Sequence, residues 1–391
     1  MKVYFGGWYQ RTTLHLSELF DLFAYGKSQL NLASEKLASL KSNLDFNTVE
    51  RQYDFLEYIL AKTNSGITLK YYEDGLYVLE TETDDIMVGQ TLLEDYFNQK
   101  LNPAVSYIFS LGAPTPKVLA NIKTVHPTIV ATIAKIEIEK YGQVYSKISS
   151  QGITVYKTPS YIFVTAPANK KEIIEGLVGM QIFFREFKDQ MEKYLNIHRV
   201  IWEEISKLRN QEYITGRQVP TLISKLENYQ YTINLISSRI NQMTVYINTR
   251  SSIAQKLSIV EDLSVLFKYK FEGLADTHKY IQELWSMTIR YLNDSLTIVR
   301  SIEAKTLNTS IQSLQIITSI GVFSGIIGYL SRDKLPSINT FGVIYLLGLL
   351  TIVWGVNKLI KILYKNTRYH TNFPKHESLN DGSNVSHVTY G

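Results

Sequence analysis

The chain has 391 residues, with 41 Lys and Arg, 36 Asp and Glu, and no cysteine. This length allows two or three structural units, and the lack of cysteine excludes disulfides, thiolate metal sites and a cysteine nucleophile. A formal net charge of +5 is small for a chain of this length, so the composition gives no reason to expect a nucleic-acid partner.

The first 168 residues combine strand and helix patterns, which predicts a cytoplasmic α+β domain. In chain order, the patterns are a strand at 3–5, helical spacing over 16–62, a hairpin over 66–80, a helix over 114–140, and a strand pair at 153–158 and 161–166. The hairpin is the strongest of these signals, because alternating apolar runs flank the turn dipeptide Asp74-Gly75.

Residues 169–305 show a different pattern, which predicts a stalk of long, coiled-coil-like helices. Apolar residues step by alternating fours and threes through 173–208 and again through 222–247, the spacing of a coiled-coil seam. A break containing glycine and proline separates the two stripes, so we expect an antiparallel helical pair. A third helix is predicted to begin near Leu274 and to continue to residue 330.

Two runs without charge follow, at 306–331 and 335–357, separated only by Arg332, Asp333 and Lys334. At a rise of about 1.5 Å per residue, the shorter run covers about 35 Å, which exceeds a hydrocarbon core of about 30 Å. The sequence therefore predicts a transmembrane hairpin with an external turn at 332–334. A helical hairpin buried in a protein core is the alternative, although the second run is apolar all round the helix.

The flanking charges predict the orientation of this hairpin. No signal peptide is evident at the N-terminus, and six Lys or Arg residues flank the outer ends of the hairpin against two in its turn. Both termini are therefore predicted to be cytoplasmic in a multi-pass protein of the cell membrane. Residues 358–391 are predicted to form a basic juxtamembrane segment and a disordered tail.

This order of parts resembles the CorA superfamily of divalent-cation channels. The segment 314–330, LQIITSIGVFSGIIGYL, is similar to the first membrane span of that family, and the resemblance in pattern covers 170–365. It implies a homopentamer in the lipid bilayer, with Mg²⁺ as the transported or regulatory ion and no other cofactor. The Gly-Met-Asn sequence of the family is Gly328-Tyr329-Leu330 here, so altered ion selectivity is expected.

A pore needs a water-facing stripe along the first span, because an ion cannot lose its water without replacement ligands. The stripe that reaches the matching glycine is Thr306, Ser310, Ser313, Ile317, Gly321, Ser324 and Gly328. A second stripe offers Asn308, Gln312, Gln315 and Ser319, and close helix packing is the alternative explanation for the glycines. The predicted pore mouth consists of Tyr329, Leu330, Arg332, Asp333 and Lys334.

The sequence contains no P-loop, GxGxxG, GxSxG or HExxH motif, and no enzyme activity is predicted. The predicted function is a CorA-like oligomeric ion channel or transporter with passive or gated passage. The alternative is a membrane-anchored scaffold or sensor that uses the hairpin only for attachment and oligomerisation. Candidates for regulatory cation sites, with solvated surface charge as the alternative, are Asp21, Glu82, Asp84, Asp85, Glu94 and Asp95.

Overall fold

The computed structural model describes residues 1–9, 15–109, 127–132, 137–330 and 366–370, together with separate positions between 344 and 362. The chain forms two compact units. The first comprises Met1–Ile197 and Leu235–Leu284, and the second comprises His198–Asn234 and Trp285–Gly391.

A nine-stranded mixed sheet is the centre of the first unit. Its strands are β1 Lys2–Trp8, β2 Phe46–Tyr53, β3 Glu57–Thr63, β4 Thr68–Tyr72, β5 Leu76–Glu82, β6 Thr128–Thr132, β7 Ser146–Ser150, β8 Ile153–Lys157 and β9 Tyr161–Thr165. The spatial order is β2-β3-β4-β5-β1-β6-β9-β8-β7, and the pair β6–β9 is parallel while the other pairs are antiparallel. The strand nearest the N-terminus therefore lies between two strands that come much later in the chain.

Four short helices pack with this sheet: α1 Leu16–Tyr25, α2 Ser34–Leu44, α3 Ile86–Tyr96 and α4 Asn102–Phe109. Their apolar faces share one core with the sheet, including the fully buried Leu22, Leu44 and Leu93 on helices and Ile59 and Leu79 on strands. A single π-helical turn, Phe97–Leu101, joins α3 to α4.

Long helices make up much of the remaining described chain: α5 Lys171–Arg209, α6 Val219–Lys256, the short α7 Val260–Asp262 and α8 Phe271–Leu330. Most of the heptad positions are buried, among them Phe187, Tyr194, Ile240 and Met243 in the first unit. In the second unit the rings of Trp202 and Tyr291 stack at 4.4 Å. A two-stranded ladder of β10 Tyr213–Thr215 and β11 Arg368–His370 also belongs to the second unit. The α+β region and the long helices are therefore present as predicted.

The predicted transmembrane hairpin is wrong: within the residues that the structure describes, no helix is long and apolar enough to cross a membrane. Most of the second run, 335–357, and most of the predicted juxtamembrane segment and tail, 358–391, lie outside the described residues. The run at 306–331 lacks charge, but it contains many hydroxyl and amide side chains, including Thr306, Asn308 and Gln312. Freedom from charge is not enough, since a spanning helix needs about 20 predominantly apolar residues. The transmembrane part of the predicted CorA-like architecture is therefore wrong. The predicted localisation to the cell membrane, with cytoplasmic termini, is also wrong.

Two of the predicted helices in the first unit are also corrected. Helical spacing over 16–62 gives helices only as far as Leu44, and the rest of that range forms β2 and β3. In the range 114–140, the described residues Thr128–Thr132 form β6, and 114–126 and 133–136 lie outside the described residues. The hairpin at 66–80 and the strand pair at 153–166 are confirmed as β4–β5 and β8–β9.

Candidate functional site

The candidate site is a cavity of about 650 Å³ in the first unit, beside the second half of β1. The β1–β5 ladder runs from Lys2 to Trp8, whereas the β1–β6 ladder covers only Lys2 to Tyr4. Among the described residues, no strand pairs with the second half of β1 on this side, and the backbone edge there borders the cavity. The cavity is lined by β1, Tyr77 of β5, the α3–α4 junction, the start of β6, and α5 from Arg185 to Asn196.

Close packing on both sides of β1 requires its two glycines. A Cβ atom on Gly6 would lie 2.7 Å from the side chain of Ile182 and 2.7 Å from the carbonyl oxygen of Tyr77. A Cβ atom on Gly7 would lie 2.5 Å from the Tyr77 hydroxyl. Glycine within a strand often marks such a close approach, and here it lets α5 and the ring of Tyr77 reach the open edge of β1.

Aromatic rings form a continuous surface on the sheet side of the cavity. The centroids of Phe5 and Phe97 are 5.0 Å apart, and Phe97 stacks on Tyr77 at 5.3 Å with only 6° between the planes. Tyr9 follows Tyr77 at 5.1 Å and donates its hydroxyl hydrogen to Asn102 Oδ1 at 2.7 Å. Burial raises the pKa of both Tyr9 and Tyr77, so both phenols stay neutral at physiological pH.

Charged side chains reach the cavity from α5, where the lining positions recur every three or four residues and so share one helix face. Arg185 anchors this face to β1, because its Nη2 donates to the carbonyl oxygen of Gly6 at 2.9 Å. The same guanidinium pairs with Glu186 at 2.9 Å. At Gly6, beyond the end of the β1–β6 ladder, the backbone carbonyl therefore accepts a hydrogen bond from the guanidinium of Arg185.

Two carboxyl groups on this face of α5, those of Glu186 and Asp189, lie in an environment that disfavours their negative charge. Burial raises the pKa of Glu186 even though Arg185 opposes the shift. Burial also raises the pKa of Asp189; Arg185 opposes this shift, and the nearby Glu192 adds to it. The pKa of Lys193 is lowered by burial and by Arg239. Counting Glu94 of α3, four carboxyl groups and two cations, Arg185 and Lys193, line the cavity.

The described residues do not include a cluster of three or more His, Asp or Glu side chains able to hold a metal ion. Of the predicted regulatory acids, Glu94 lines the cavity, where it accepts a hydrogen bond from Gln90 Nε2 at 2.8 Å. Asp85 instead caps α3 by accepting from the amides of Met87 and Val88. The cavity is not lined by Asp21, Glu82, Asp84 or Asp95.

The predicted pore-lining residues, Thr306, Ser310, Ser313, Ile317, Gly321, Ser324 and Gly328, all lie on α8. Ile317 and Ser324 are half-buried, and Gly321 and Gly328 are exposed. Of the predicted mouth, Tyr329 and Leu330 are the last residues of α8, whereas Arg332, Asp333 and Lys334 lie outside the described residues. The pore assignment stays a prediction, and none of these described residues lines the cavity.

Sequence reasoning missed the cavity, although two local signals pointed to it. Gly6-Gly7 suggested the end of a strand, whereas the strand continues to Trp8. The polar face of α5 carries charges at helical spacing from Arg185 onward, beside the apolar seam that dominated the interpretation.

Comparison with protein-family models, curated protein sequences and solved structures finds no significant match to this chain. The resemblance to the CorA superfamily therefore stays a prediction.

Proposed function

We propose that the chain is a small-molecule sensor that binds an organic ligand in the cavity beside β1. The observation that carries this proposal is the cavity of about 650 Å³ beside β1, next to the end of the β1–β6 ladder as the described residues form it. Ligand pockets typically measure roughly 300–1,000 Å³ and combine an apolar lining with a few polar groups. The aromatic surface from the sheet and the charged face of α5 supply that combination.

The sensor role follows from the helix that lines the cavity. Seven lining residues, from Arg185 to Asn196, belong to α5, which has 39 residues and continues to Arg209. A ligand held against this stretch acts directly on an element that extends beyond the cavity. The proposal retains the sensor alternative drawn from the sequence without its membrane anchor, and the channel is not carried forward because its hairpin is contradicted.

The test is to place a large side chain at the rim of the cavity, where it would occupy the space that a ligand needs. Asn98 is exposed and lines the cavity, while the neighbouring exposed Gln99 does not. Asn98→Trp is expected to abolish binding of aromatic amines, acids and alcohols in ligand-observed NMR, and Gln99→Trp is the matched control. The proposal fails if no compound binds the wild-type chain, or if bound compounds do not distinguish Asn98→Trp from Gln99→Trp.

A further inference from the structure

We propose that the ligand of this cavity is an uncharged aromatic compound with a carbonyl group, an aryl ketone in the simplest case. Its carbonyl oxygen would accept a hydrogen bond from the Tyr77 hydroxyl, and its ring would lie against Phe5 and Phe97. This inference rests on the proposed function, because it names the class of ligand for the same cavity.

The hydroxyl of Tyr77 is the first argument, because this group has no hydrogen-bond partner among the described residues. Tyr77 lines the cavity and is only 5% exposed. Its oxygen keeps some accessible surface, in contrast to the fully buried and unpartnered Oε1 of Gln181. The hydroxyl of Tyr9, in the same lining, donates to Asn102 instead. The Tyr77 hydroxyl is therefore a donor that a molecule in the cavity can reach.

The position of this hydroxyl depends on Gly7 of β1. The two residues lie directly opposite each other in the β1–β5 ladder. A Cβ atom on Gly7 would lie 2.5 Å from the Tyr77 hydroxyl oxygen. Since glycine leaves this space free, the phenol extends across β1 at a residue that itself lines the cavity.

The chemistry of the phenol favours an acceptor in the ligand. Burial raises the pKa of Tyr77, so the hydroxyl keeps its hydrogen at physiological pH. The aromatic ring withdraws electron density from the oxygen, and a phenol therefore donates a hydrogen bond more strongly than it accepts one. A ligand without an acceptor would displace solvent and leave this hydroxyl unsatisfied, which costs binding free energy. A carbonyl oxygen would satisfy it.

The charges on α5 give no reason for a charged ligand. Arg185 contacts Glu186 and the carbonyl oxygen of Gly6, and it opposes the rise in the pKa of both Glu186 and Asp189. These acids therefore have a cation beside them before any ligand binds. Carboxyl groups outnumber cations by four to two in the lining, so an anionic acceptor such as a carboxylate is disfavoured.

The rings beside Tyr77 favour an aromatic ligand. Phe97 stacks on Tyr77 at 5.3 Å with 6° between the planes, and Phe5 lies 5.0 Å from Phe97. Both phenylalanines line the cavity and are only half-buried. Phe97 also begins the π-helical turn between α3 and α4, a geometry that often occurs at functional sites. A planar ring can extend this stack while its carbonyl group meets the hydroxyl.

Four probes with one bicyclic skeleton test the inference by ligand-observed NMR titration: 1-indanone, indane, 1-aminoindane and indane-1-carboxylate. We expect the ketone to bind roughly fivefold more tightly than each of the other three, since one hydrogen bond contributes about this factor. Tyr77→Phe should remove that advantage and change indane binding by less than twofold. Tyr96→Phe is the matched control, because Tyr96 is also buried but lies outside the cavity lining.

Thermal unfolding without ligand gives a second readout. The Tyr96 hydroxyl donates to the carbonyl oxygen of Leu44 at 2.8 Å, so Tyr96→Phe should lower the melting temperature by about 2–4 °C. Tyr77→Phe should not lower it, because no hydrogen bond within the described chain is lost. An equal decrease in both variants would show that the Tyr77 hydroxyl is already satisfied by the protein, and would overturn the inference.

The inference is also overturned if indane or a charged probe binds as tightly as the ketone, or if none of the four probes binds. It is overturned as well if Tyr77→Phe weakens ketone and indane binding equally. In each of these cases the sensor proposal still stands if any compound bound by the wild-type chain is lost in Asn98→Trp and kept in Gln99→Trp.

Discussion

Arg250 and Asp74 form a buried, bidentate ion pair that joins α6 to the turn between β4 and β5. Arg250 Nε lies 2.6 Å from Asp74 Oδ2, and its Nη2 lies 2.8 Å from Oδ1. The exposed fractions of the two side chains are only 5% and 2%. The backbone carbonyl of Asp74 also accepts from Trp8 Nε1 at 2.7 Å, so the same turn is held from β1.

Arg250→Ala is expected to lower the free energy of unfolding by about 3–5 kcal/mol, because it leaves a buried carboxylate without its counter-ion. Urea denaturation followed by tryptophan fluorescence measures this change. The control is Arg300→Ala, which breaks an ion pair of 2.8 Å to Glu227 in which both side chains are about half exposed. That loss should stay below about 1 kcal/mol, and equal losses in the two variants would contradict the prediction.

His278 is a buried histidine whose Nε2 lies 2.6 Å from the carbonyl oxygen of Ile240. A carbonyl only accepts, so Nε2 carries the hydrogen in the neutral ring. Burial lowers the pKa of His278 from 6.5 despite this hydrogen bond. In the unfolded chain the ring takes up a proton near pH 6.5, which the folded chain resists, so stability falls as the pH drops below 6.5 towards the lowered pKa.

His278→Gln should therefore flatten the acid side of the stability profile. One proton contributes at most about 1.4 kcal/mol per pH unit to the free energy of unfolding. Between pH 6.5 and 5.5, the decrease in this free energy should therefore be smaller in the variant than in the wild type, by up to about 1.4 kcal/mol. Urea titrations at the two pH values measure the difference. The exposed His15 supplies the control, His15→Gln; the same flattening in both variants would refute the role of burial.

At the scale of the element, the β4–β5 hairpin depends on Gly75. This residue has a φ of +90°, and a Cβ atom built on it would lie 2.0 Å from the carbonyl oxygen of Tyr9. The left-handed conformation and the close backbone approach thus occur at one position. Gly66 also has a positive φ, +82°, but a Cβ atom there would meet nothing within 4 Å.

Comparing the two glycines separates the cost of a left-handed backbone conformation, which both share, from the cost of a steric clash, which only Gly75 would have. Gly66→Ala should cost about 1–2 kcal/mol through the left-handed conformation alone. Gly75→Ala carries the same strain and must also displace backbone, so we expect a loss of more than about 3 kcal/mol. Thermal unfolding monitored by circular dichroism compares the two variants, and similar losses would show that the approach of Tyr9 to the turn is unimportant.

Local sequence patterns predicted some elements well and others badly, for identifiable reasons. The β4–β5 hairpin was predictable because alternating apolar residues flank Asp74-Gly75, although only β4 alternates in burial and the first four residues of β5 are all buried. The edge strand β2 has little burial on either face, so FNTVERQY lacks the alternation that predicts a strand. The charge-free stretch of α8 showed the opposite error, because it was treated as apolar despite its hydroxyl and amide residues.

The cavity could not be predicted from local patterns because its parts are far apart in the chain. Gly6 of β1 meets Arg185 of α5 across 179 positions. The cavity borders the part of β1 that follows the end of the β1–β6 ladder at Tyr4 and Ile129. Periodicity predicts the face of one element, but it does not predict the length of a ladder between two strands.

At the scale of the whole molecule, the first strand of the chain is central to the nine-stranded sheet. β1 pairs with β5 on one side and with β6 on the other, so it joins the segment β2–β5 to the segment β6–β9. Val3 is fully buried between Thr81 and Val130. This arrangement makes a short terminal segment essential to the entire sheet.

Deletion of residues 1–8 is therefore expected to abolish cooperative unfolding of the first unit, because both neighbouring strands become open edges. Far-UV circular dichroism and hydrogen exchange measure the loss, which should extend to strands as distant as β3 and β8. Addition of a synthetic peptide of residues 1–9 should restore part of the protected amide hydrogens. A truncated chain that still unfolds cooperatively with native protection would contradict the central role of β1.

The central position of β1 also has a consequence for synthesis on the ribosome. β1 is synthesised about 120 residues before its partner β6, which at roughly 5–20 residues per second is a delay on the order of ten seconds. During that interval the growing chain exposes an apolar strand, and the edge of β1 that pairs with β6 lacks this partner. Nascent chains of this protein should therefore need a chaperone until residue 132 has emerged, and stalled shorter chains should be the species most prone to aggregate.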